Sequence, residues 1–179
     1  MGLLALCYPQ VSEDHQQFMD QVRDRYDPVY KDVVRPHFTI VFQVHDIPEV
    51  AFSQHIQRVA ARHEPFEFVC RYAMLHNDHN SDDWYVFLVP DEGFSRIARL
   101  HDELYTDLLA PQLRFDLPYV PHISVARLKD RLACKELVDE LNRNGREVAG
   151  MVDTISVCAY DGQIVTNLHH FRLGKRAIS

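Results

Sequence analysis

One short pattern occurs twice in this chain and constrains its fold more than any other feature. Pro36-His37-Phe38-Thr39-Ile40 and Pro121-His122-Ile123-Ser124-Val125 both read proline, histidine, apolar, hydroxyl, apolar. Each copy begins a run that predicts a strand, and each is followed by a polar turn and an amphipathic helix. The copies lie nearly half the chain apart. The repeat therefore predicts two similar lobes, each with one such strand.

The other predicted elements are a mixture of strands and helices. We expect helices from Ser12 to Pro28 and over 131–143, because Ser12 can cap the first turn of one and Gly145 can stop the other. Further helices are predicted over 49–62 and 93–109. No low-complexity linker divides residues 1–179, so we expect a single bilobal domain. The predicted strands are 2–8, 37–44, 66–70, 84–90, 122–128, 151–160 and 163–173, the last two joined by an Asp161-Gly162 hairpin turn.

Composition limits the possible partners. The formal net charge is −7, which argues against a broad surface for long duplex nucleic acid but leaves room for a small anionic ligand. The four cysteines are scattered singly and have apolar neighbours, which predicts buried thiols. The chain has no apolar run long enough to span a membrane, and its start lacks a secretory leader. We therefore expect a cytoplasmic protein without a membrane partner, and a monomer.

The repeated motif can present a catalytic set to one cleft. Side chains two apart on a strand share a face, so His37 projects with Thr39 and His122 with Ser124, while Phe38 enters the core. One neutral imidazole can take a proton from a nucleophile, and a protonated one can give a proton to a leaving oxygen. The hydroxyls can donate hydrogen bonds to phosphoryl oxygens. The set suits an in-line reaction at phosphorus without a metal or other cofactor.

These residues resemble the 2H phosphoesterase superfamily, whose hallmark is two His-apolar-Thr/Ser-apolar motifs, one in each half of the chain. The second copy, extended through Ala126 and Arg127, is similar to the 2′-5′ RNA ligase-like branch, also described as RNA 2′,3′-cyclic phosphodiesterases. The resemblance implies an α+β fold, in which two pseudo-symmetric lobes with antiparallel sheets and flanking helices surround a central cleft. It also implies hydrolysis of a cyclic or 2′-5′ phosphodiester of a small nucleotide or RNA end, with reversible ligation in some members.

Three further residues are weaker candidates. Arg127 can bind phosphate, although strict alternation from His122 points it away from the site unless a bulge or its long side chain brings it back. Tyr8 and Tyr119 can stack on a nucleobase. Arg35 we interpret as a surface charge.

Other histidines are given structural interpretations. His79-Asn80-Ser81 repeats the spacing by chance in a polar loop without an apolar frame. At most one of His169 and His170 can approach the cleft, because neighbours on a strand point to opposite faces. The segment 76–83 holds groups that can bind a metal, but without regular spacing we interpret it as a solvated loop and expect no metal site; they are His76, Asp78, His79, Asp82 and Asp83.

Two other functions stay open. A former enzyme of the same fold could bind a nucleotide or phosphate ligand without turnover, although pure binding would not need two histidines. A zinc hydrolase could use the histidine-containing loop, and its activity would be lost in a chelator. The sequence does not decide which histidine is the acid and which the base.

Overall fold

The computed structural model describes residues 1–78 and 81–174. Within these residues fourteen short elements follow each other, and four of them are α-helices: α1 (Glu13–Tyr26), α2 (Glu49–Ala60), α3 (Phe94–Leu104) and α4 (Arg131–Asn144). A 3₁₀ turn spans Asp107–Gln112. The strands are β1 (Gly2–Cys7), β2 (Gln10–Val11), β3 (Phe38–Val44), β4 (Phe66–Asn77), β5 (Trp84–Glu92), β6 (Ile123–Leu128), β7 (Val148–Val152), β8 (Thr154–Tyr160) and β9 (Val165–Arg172).

All strand pairs are antiparallel and form one sheet in the order β2-β7-β4-β5-β6-β3-β1-β8-β9. The predicted α+β class with antiparallel sheet and flanking helices is thus confirmed. Helices α1 and α4 pack on the half that ends at β6, and α2 and α3 contact the half that begins at β3. The two halves meet where β3 pairs with β6.

Local sequence signals correctly predicted where two helices begin or end and where one hairpin turns. Ser12 caps α1, because its hydroxyl accepts a hydrogen bond from the His15 backbone N–H at 3.2 Å. Gly145 follows α4 with a left-handed φ of 61°, and Gly162 takes a φ of 100° in the β8–β9 hairpin. Both glycines adopt conformations that other residues enter only with strain.

Three expected boundaries were wrong. The predicted strand 151–160 is two strands, because the chain leaves β4's side of the sheet at Asp153 and pairs with β1 instead. β4 continues to Asn77, so His76 belongs to a strand and not to a loop. The helix predicted over 93–109 ends at Leu104.

The core lies beneath the sheet centre. Phe38 and Ile123 are fully buried, as the motif predicted, and Phe38 contacts Phe68 edge to face at 5.0 Å between ring centroids. All four cysteines are buried and unpaired, in agreement with the expected thiols. Within residues 1–78 and 81–174, no helix is both long and apolar enough to cross a membrane.

Candidate active site

The two copies of the motif meet at a single pair of residues. Phe38 of β3 pairs with Ile123 of β6, and each is the residue that follows a motif histidine. In an antiparallel pair, one step to either side of this contact sets His37 opposite Ser124 and Thr39 opposite His122. The local two-fold axis therefore passes through the pair, and each imidazole has the hydroxyl of the other motif beside it.

Both histidines are held by the same backbone hydrogen bond. Nδ1 of His37 lies 2.7 Å from the carbonyl of Arg35, and Nδ1 of His122 lies 2.6 Å from the carbonyl of Val120. A carbonyl oxygen only accepts, so Nδ1 carries the proton in both rings. In the neutral form Nε2 is therefore an acceptor, which is what a general base needs.

The surroundings favour the neutral form of both rings. Burial lowers the pKa of His37 to about 4, against the opposing effect of its bond to the Arg35 carbonyl, and the nearby Arg23 guanidinium adds to the lowering. Burial likewise lowers the pKa of His122 to about 4, with further lowering from His37 and His76. Both side chains keep part of their surface accessible, so a ligand can reach them.

A cavity of about 150 Å³ adjoins His37 and Ser124. We call it the His37-side cavity. Arg23 of α1 and Asp27, which follows α1, form part of its wall. Each of these charged residues is at least 95% buried. Arg23 donates to Asp27 Oδ2 at 3.4 Å and to the Tyr30 carbonyl at 2.9 Å. The other lining residues are Tyr30, Val34, Arg35 and Tyr85.

A second cavity, of about 160 Å³, adjoins His122. We call it the His122-side cavity. The Phe87 ring contacts two histidines in it: His122 stacks on Phe87 at 3.6 Å and His76 at 4.8 Å between centroids. His76 is the third histidine at the site. The remaining lining residues are Phe42, Asp78, Tyr85, Arg114, Leu117, Pro118 and Val120.

A β-bulge in β6 determines on which face of the sheet Arg127 lies. Phe87 pairs with Ser124 and Val86 with Ala126, so Val125 is an extra residue in β6. The bulge shifts the alternation by one, and Arg127, opposite Tyr85, emerges on the face of Ser124. The guanidinium lies over the ring of Tyr30 at 4.6 Å. Strict alternation from His122 would point Arg127 away from the motif face. A bulge was expected to be able to reverse this, and one is present.

The two tyrosines predicted to stack on a base have different surroundings. Tyr8 lies beside His37, at 6.1 Å between ring centroids, but the Arg35 guanidinium lies over its ring at 4.5 Å. Tyr119 stacks on His101 at 3.6 Å and donates a 2.9 Å hydrogen bond to the Thr39 carbonyl. Tyr119 therefore supports the motif strand, and base stacking by either ring stays a prediction.

The remaining candidates lie as follows. Within the described part of the chain, no three His, Cys, Asp or Glu side chains are arranged to hold a metal ion. Of the loop considered as a metal site, His79 falls outside the described residues, and Asp83 is engaged by Arg127 and Lys129. His169 contacts Glu49, and His170 bonds Ser156, so both are on the opposite side of β1 from the motif strands.

Sequence reasoning missed Arg23 and Tyr85, and it considered His76 only as a possible metal ligand. Arg35 is exposed, as expected of a surface charge, and it also lines the His37-side cavity. Tyr85 lines both cavities because β5 neighbours β6. The alternation of Tyr85 and Phe87 in a strong strand could have indicated a common face, whereas nothing local marks Arg23.

Comparison with known proteins agrees with this arrangement. The family model of the 2′-5′ RNA ligase superfamily matches residues 11–164. No curated protein matches the chain in sequence. Among solved structures, TT0787 of Thermus thermophilus superposes with a TM-score of 0.63 at 18% identity, covering 99% of this chain and 100% of that one.

Two further structures have the same fold. LigT of E. coli, complexed with 3′-AMP, gives a TM-score of 0.60 at 15% identity and covers 97% of this chain and 98% of its own. Usb1 of Kluyveromyces marxianus gives 0.55 at 10% identity, with 93% and 97% covered. At these identities the structures establish the fold.

The fold and the doubled histidine motif define a 2H phosphoesterase. With the family model matching most of its length, the chain belongs to the 2′-5′ RNA ligase superfamily. Membership supports a phosphodiesterase-type function.

Proposed function

We propose that this protein is a metal-independent phosphodiesterase. Its substrate is a 2′,3′-cyclic phosphate or a 2′-5′ phosphodiester of a nucleotide or RNA end. The observation that carries the proposal is the matched pair of histidines, both of which donate from Nδ1 to a backbone carbonyl and keep Nε2 for chemistry. Two histidines with purely structural roles have no reason to share one tautomer and one position, directly before a motif strand, in both halves of a sheet.

In the proposed reaction, the two rings act in opposite protonation states. For a cyclic substrate, a water oxygen attacks phosphorus and forms the new P–O bond, while one neutral imidazole takes the water proton. The bond from phosphorus to one ribose oxygen breaks, and the other imidazole, protonated, gives that oxygen its proton. The same steps with a second ribose hydroxyl in place of water would join the cyclic phosphate to that hydroxyl, which is the ligation that the family's name implies.

The hydroxyls and Arg127 stabilise the charge in this proposal. Negative charge develops on the non-bridging oxygens of phosphorus as the nucleophile adds. Ser124 and Thr39 each lie beside one imidazole, which supports a role for both hydroxyls as hydrogen-bond donors to these oxygens. Arg127 lies on the same face and supplies a guanidinium charge near Ser124. None of these roles requires a cofactor.

The test is turnover of 2′,3′-cyclic mononucleotides in excess chelator by the parent protein and by His37→Ala and His122→Ala. His45→Ala is the matched control, because His45 is exposed and lies outside both cavities. Chelator-resistant turnover that both variants lose and the control keeps is the expected result.

Other outcomes separate the competing functions. Turnover that a chelator abolishes would point to the zinc hydrolase. Tight binding of nucleotides without turnover of cyclic or 2′-5′ substrates would point to a silent binding module. Turnover that survives both histidine substitutions would remove these residues from the mechanism.

A further inference from the structure

The two cavities beside the motif histidines differ in charge. Arg23, Arg35 and Asp27 line the His37-side cavity, so two guanidinium groups share one carboxylate there. Arg114 and Asp78 line the His122-side cavity, where one guanidinium is matched by one carboxylate. Between these two sets of permanent charges, the excess of positive charge lies on the His37 side, which therefore favours an anion.

Arg23 keeps hydrogen-bond donors for a ligand although it is only 4% exposed. A guanidinium has five N–H groups. The acceptors that Arg23 finds among the described residues are Asp27 Oδ2, 3.4 Å from Nε, and the Tyr30 carbonyl, 2.9 Å from one terminal nitrogen. The other terminal nitrogen has none, and it is not among the fully enclosed side-chain atoms that lack a partner, which are Asp27 Oδ1 and Ser53 Oγ. It is therefore accessible to a bound molecule.

Arg35 is held in place without losing its charge to a carboxylate. Its guanidinium lies over the ring of Tyr8 at 4.5 Å, and the side chain is exposed. Within residues 1–78 and 81–174, no Asp or Glu lies at ion-pair distance from it. A guanidinium stacked on an aromatic face keeps the N–H groups in its plane free for a bidentate anion. Because the ring already restricts the side chain, binding such an anion costs less conformational entropy.

The reacting phosphate does not account for these two arginines. In the proposed reaction its oxygens have the motif hydroxyls and Arg127 as donors. Arg23 and Arg35 also line a groove of about 370 Å³ to which His37 does not contribute. The two guanidinium groups therefore lie between the reacting centre and this groove. That position suits an anionic group at a short distance from the reacting phosphorus.

The same groove limits how far a chain of phosphates can continue. Its other charged residues are Asp20, Asp24 and Asp32 against Lys31, and the Lys31 ammonium donates to Asp24 at 2.8 Å. Carboxylates repel further phosphate groups. The charge of the groove therefore favours a ligand whose second phosphate is its last one.

We infer that Arg23 and Arg35 form a subsite for a second phosphate, and that the preferred substrate is a nucleoside 2′,3′-cyclic phosphate with a phosphate monoester at C5′. C5′ belongs to the same ribose as the cyclic phosphate, so this is the nearest second phosphate that a nucleotide carries. Guanidinium groups bind phosphate through paired, charge-assisted hydrogen bonds. The inference rests on the proposed phosphodiesterase function and adds a second anionic group to its substrate.

The experiment compares adenosine 2′,3′-cyclic phosphate with its 5′-phosphorylated form on the parent protein, Arg23→Gln and Arg35→Gln. Arg25→Gln is the matched control, because Arg25 is exposed on α1 and lines neither cavity nor the groove. Arg35→Gln keeps the backbone carbonyl that binds His37, and it remains a test if the buried Arg23→Gln does not fold. Thermal unfolding checks each variant. A third compound, adenylyl-(3′-5′)-adenosine 2′,3′-cyclic phosphate, carries the same phosphate as part of a chain.

We expect the 5′-phosphate to raise kcat/KM by about tenfold or more in the parent and in Arg25→Gln. Each folded Arg23 or Arg35 variant should lose most of this preference, and the dinucleotide should be cleaved with a lower kcat/KM than the 5′-monoester. The inference is overturned if the parent cleaves both mononucleotides equally well, if a folded variant keeps the full preference, or if the dinucleotide is the better substrate. Absence of turnover on all three compounds would instead overturn the phosphodiesterase function itself.

Discussion

Asp83 holds Arg127 against the aromatic wall of the His37-side cavity. Arg127 Nε donates a 2.6 Å hydrogen bond to Asp83 Oδ2, and a second guanidinium nitrogen contacts the same oxygen. Lys129 contacts the other carboxylate oxygen at 2.7 Å, and these bonds lower the pKa of Asp83 to about 2. Asp83 is 3% exposed, so the carboxylate fixes the direction of a charge that would otherwise move in solvent.

Asp83→Asn should therefore destabilise the protein and weaken substrate binding. Loss of charged hydrogen bonds at this site should cost about 1–3 kcal/mol in the free energy of unfolding, measured with urea at pH 7. Because the pKa of Asp83 is lowered in the folded state, its contribution is present above the ordinary aspartate pKa and is lost as the pH falls towards 2. Asp82→Asn, at an exposed neighbour, is the control, and equal stability of the two variants would contradict the role.

For the free enzyme, kcat/KM should be largest at acidic pH. Burial lowers the pKa of both histidines to about 4, and the proposed mechanism needs one ring protonated and one neutral. The fraction of enzyme in that state is largest near pH 4 and falls with increasing pH, by about tenfold per unit. We expect kcat/KM to follow this fall.

The maximum of kcat should lie at a higher pH than the maximum of kcat/KM. A bound phosphodiester anion favours the imidazolium form and raises the pKa of the ring beside it. The measurement is a pair of profiles from pH 4 to 8 on a cyclic mononucleotide. A kcat/KM maximum near neutrality would show that the acid is not a histidine with a lowered pKa.

Removal of either motif hydroxyl should lower the rate without unfolding the protein. Thr39 and Ser124 are half-buried and sit beside the opposite imidazole. Loss of one hydrogen-bond donor to a charged transition state costs about 10²–10³ in rate. We expect Thr39→Val and Ser124→Ala each to reduce kcat by this order. Thr166→Val and Ser95→Ala, at exposed positions, should leave kcat unchanged.

The substitution Tyr119→Phe tests whether Tyr119 supports the motif strand or stacks on a nucleobase. The change removes the 2.9 Å bond to the Thr39 carbonyl but keeps the ring on His101. We expect a loss of about 0.5–1.5 kcal/mol in the free energy of unfolding, with KM unchanged if the ring does not contact substrate. Tyr119→Leu, which removes the ring, should lower stability further; an increase in KM for Tyr119→Leu alone would support stacking.

The motif strands could be predicted because their pattern is local. Alternation alone buries Phe38 and Ile123 and projects the histidines from the other face. The hairpin at Gly162 is likewise local, since it depends on one residue with a positive φ.

Other features depend on pairing between distant strands and leave no local signal. The bulge at Val125 exists only in the register with β5, and it alone brings Arg127 to the face of Ser124. The apolar run that contains β7 and β8 gives no sign of the break at Asp153, where the chain changes partner strands. Arg23 lines the same cavity as His37 because α1 packs against β6.

Phe38 and Ile123 form the register contact between β3 and β6, and one motif histidine lies on each side of this pair. In the proposed mechanism, the distance between proton donor and proton acceptor therefore depends on how the two halves of the sheet meet at this pair. A shift of one whole half of the sheet moves its histidine together with that half. A change in the angle between β3 and β6 at this pair directly changes the distance between the two imidazole rings.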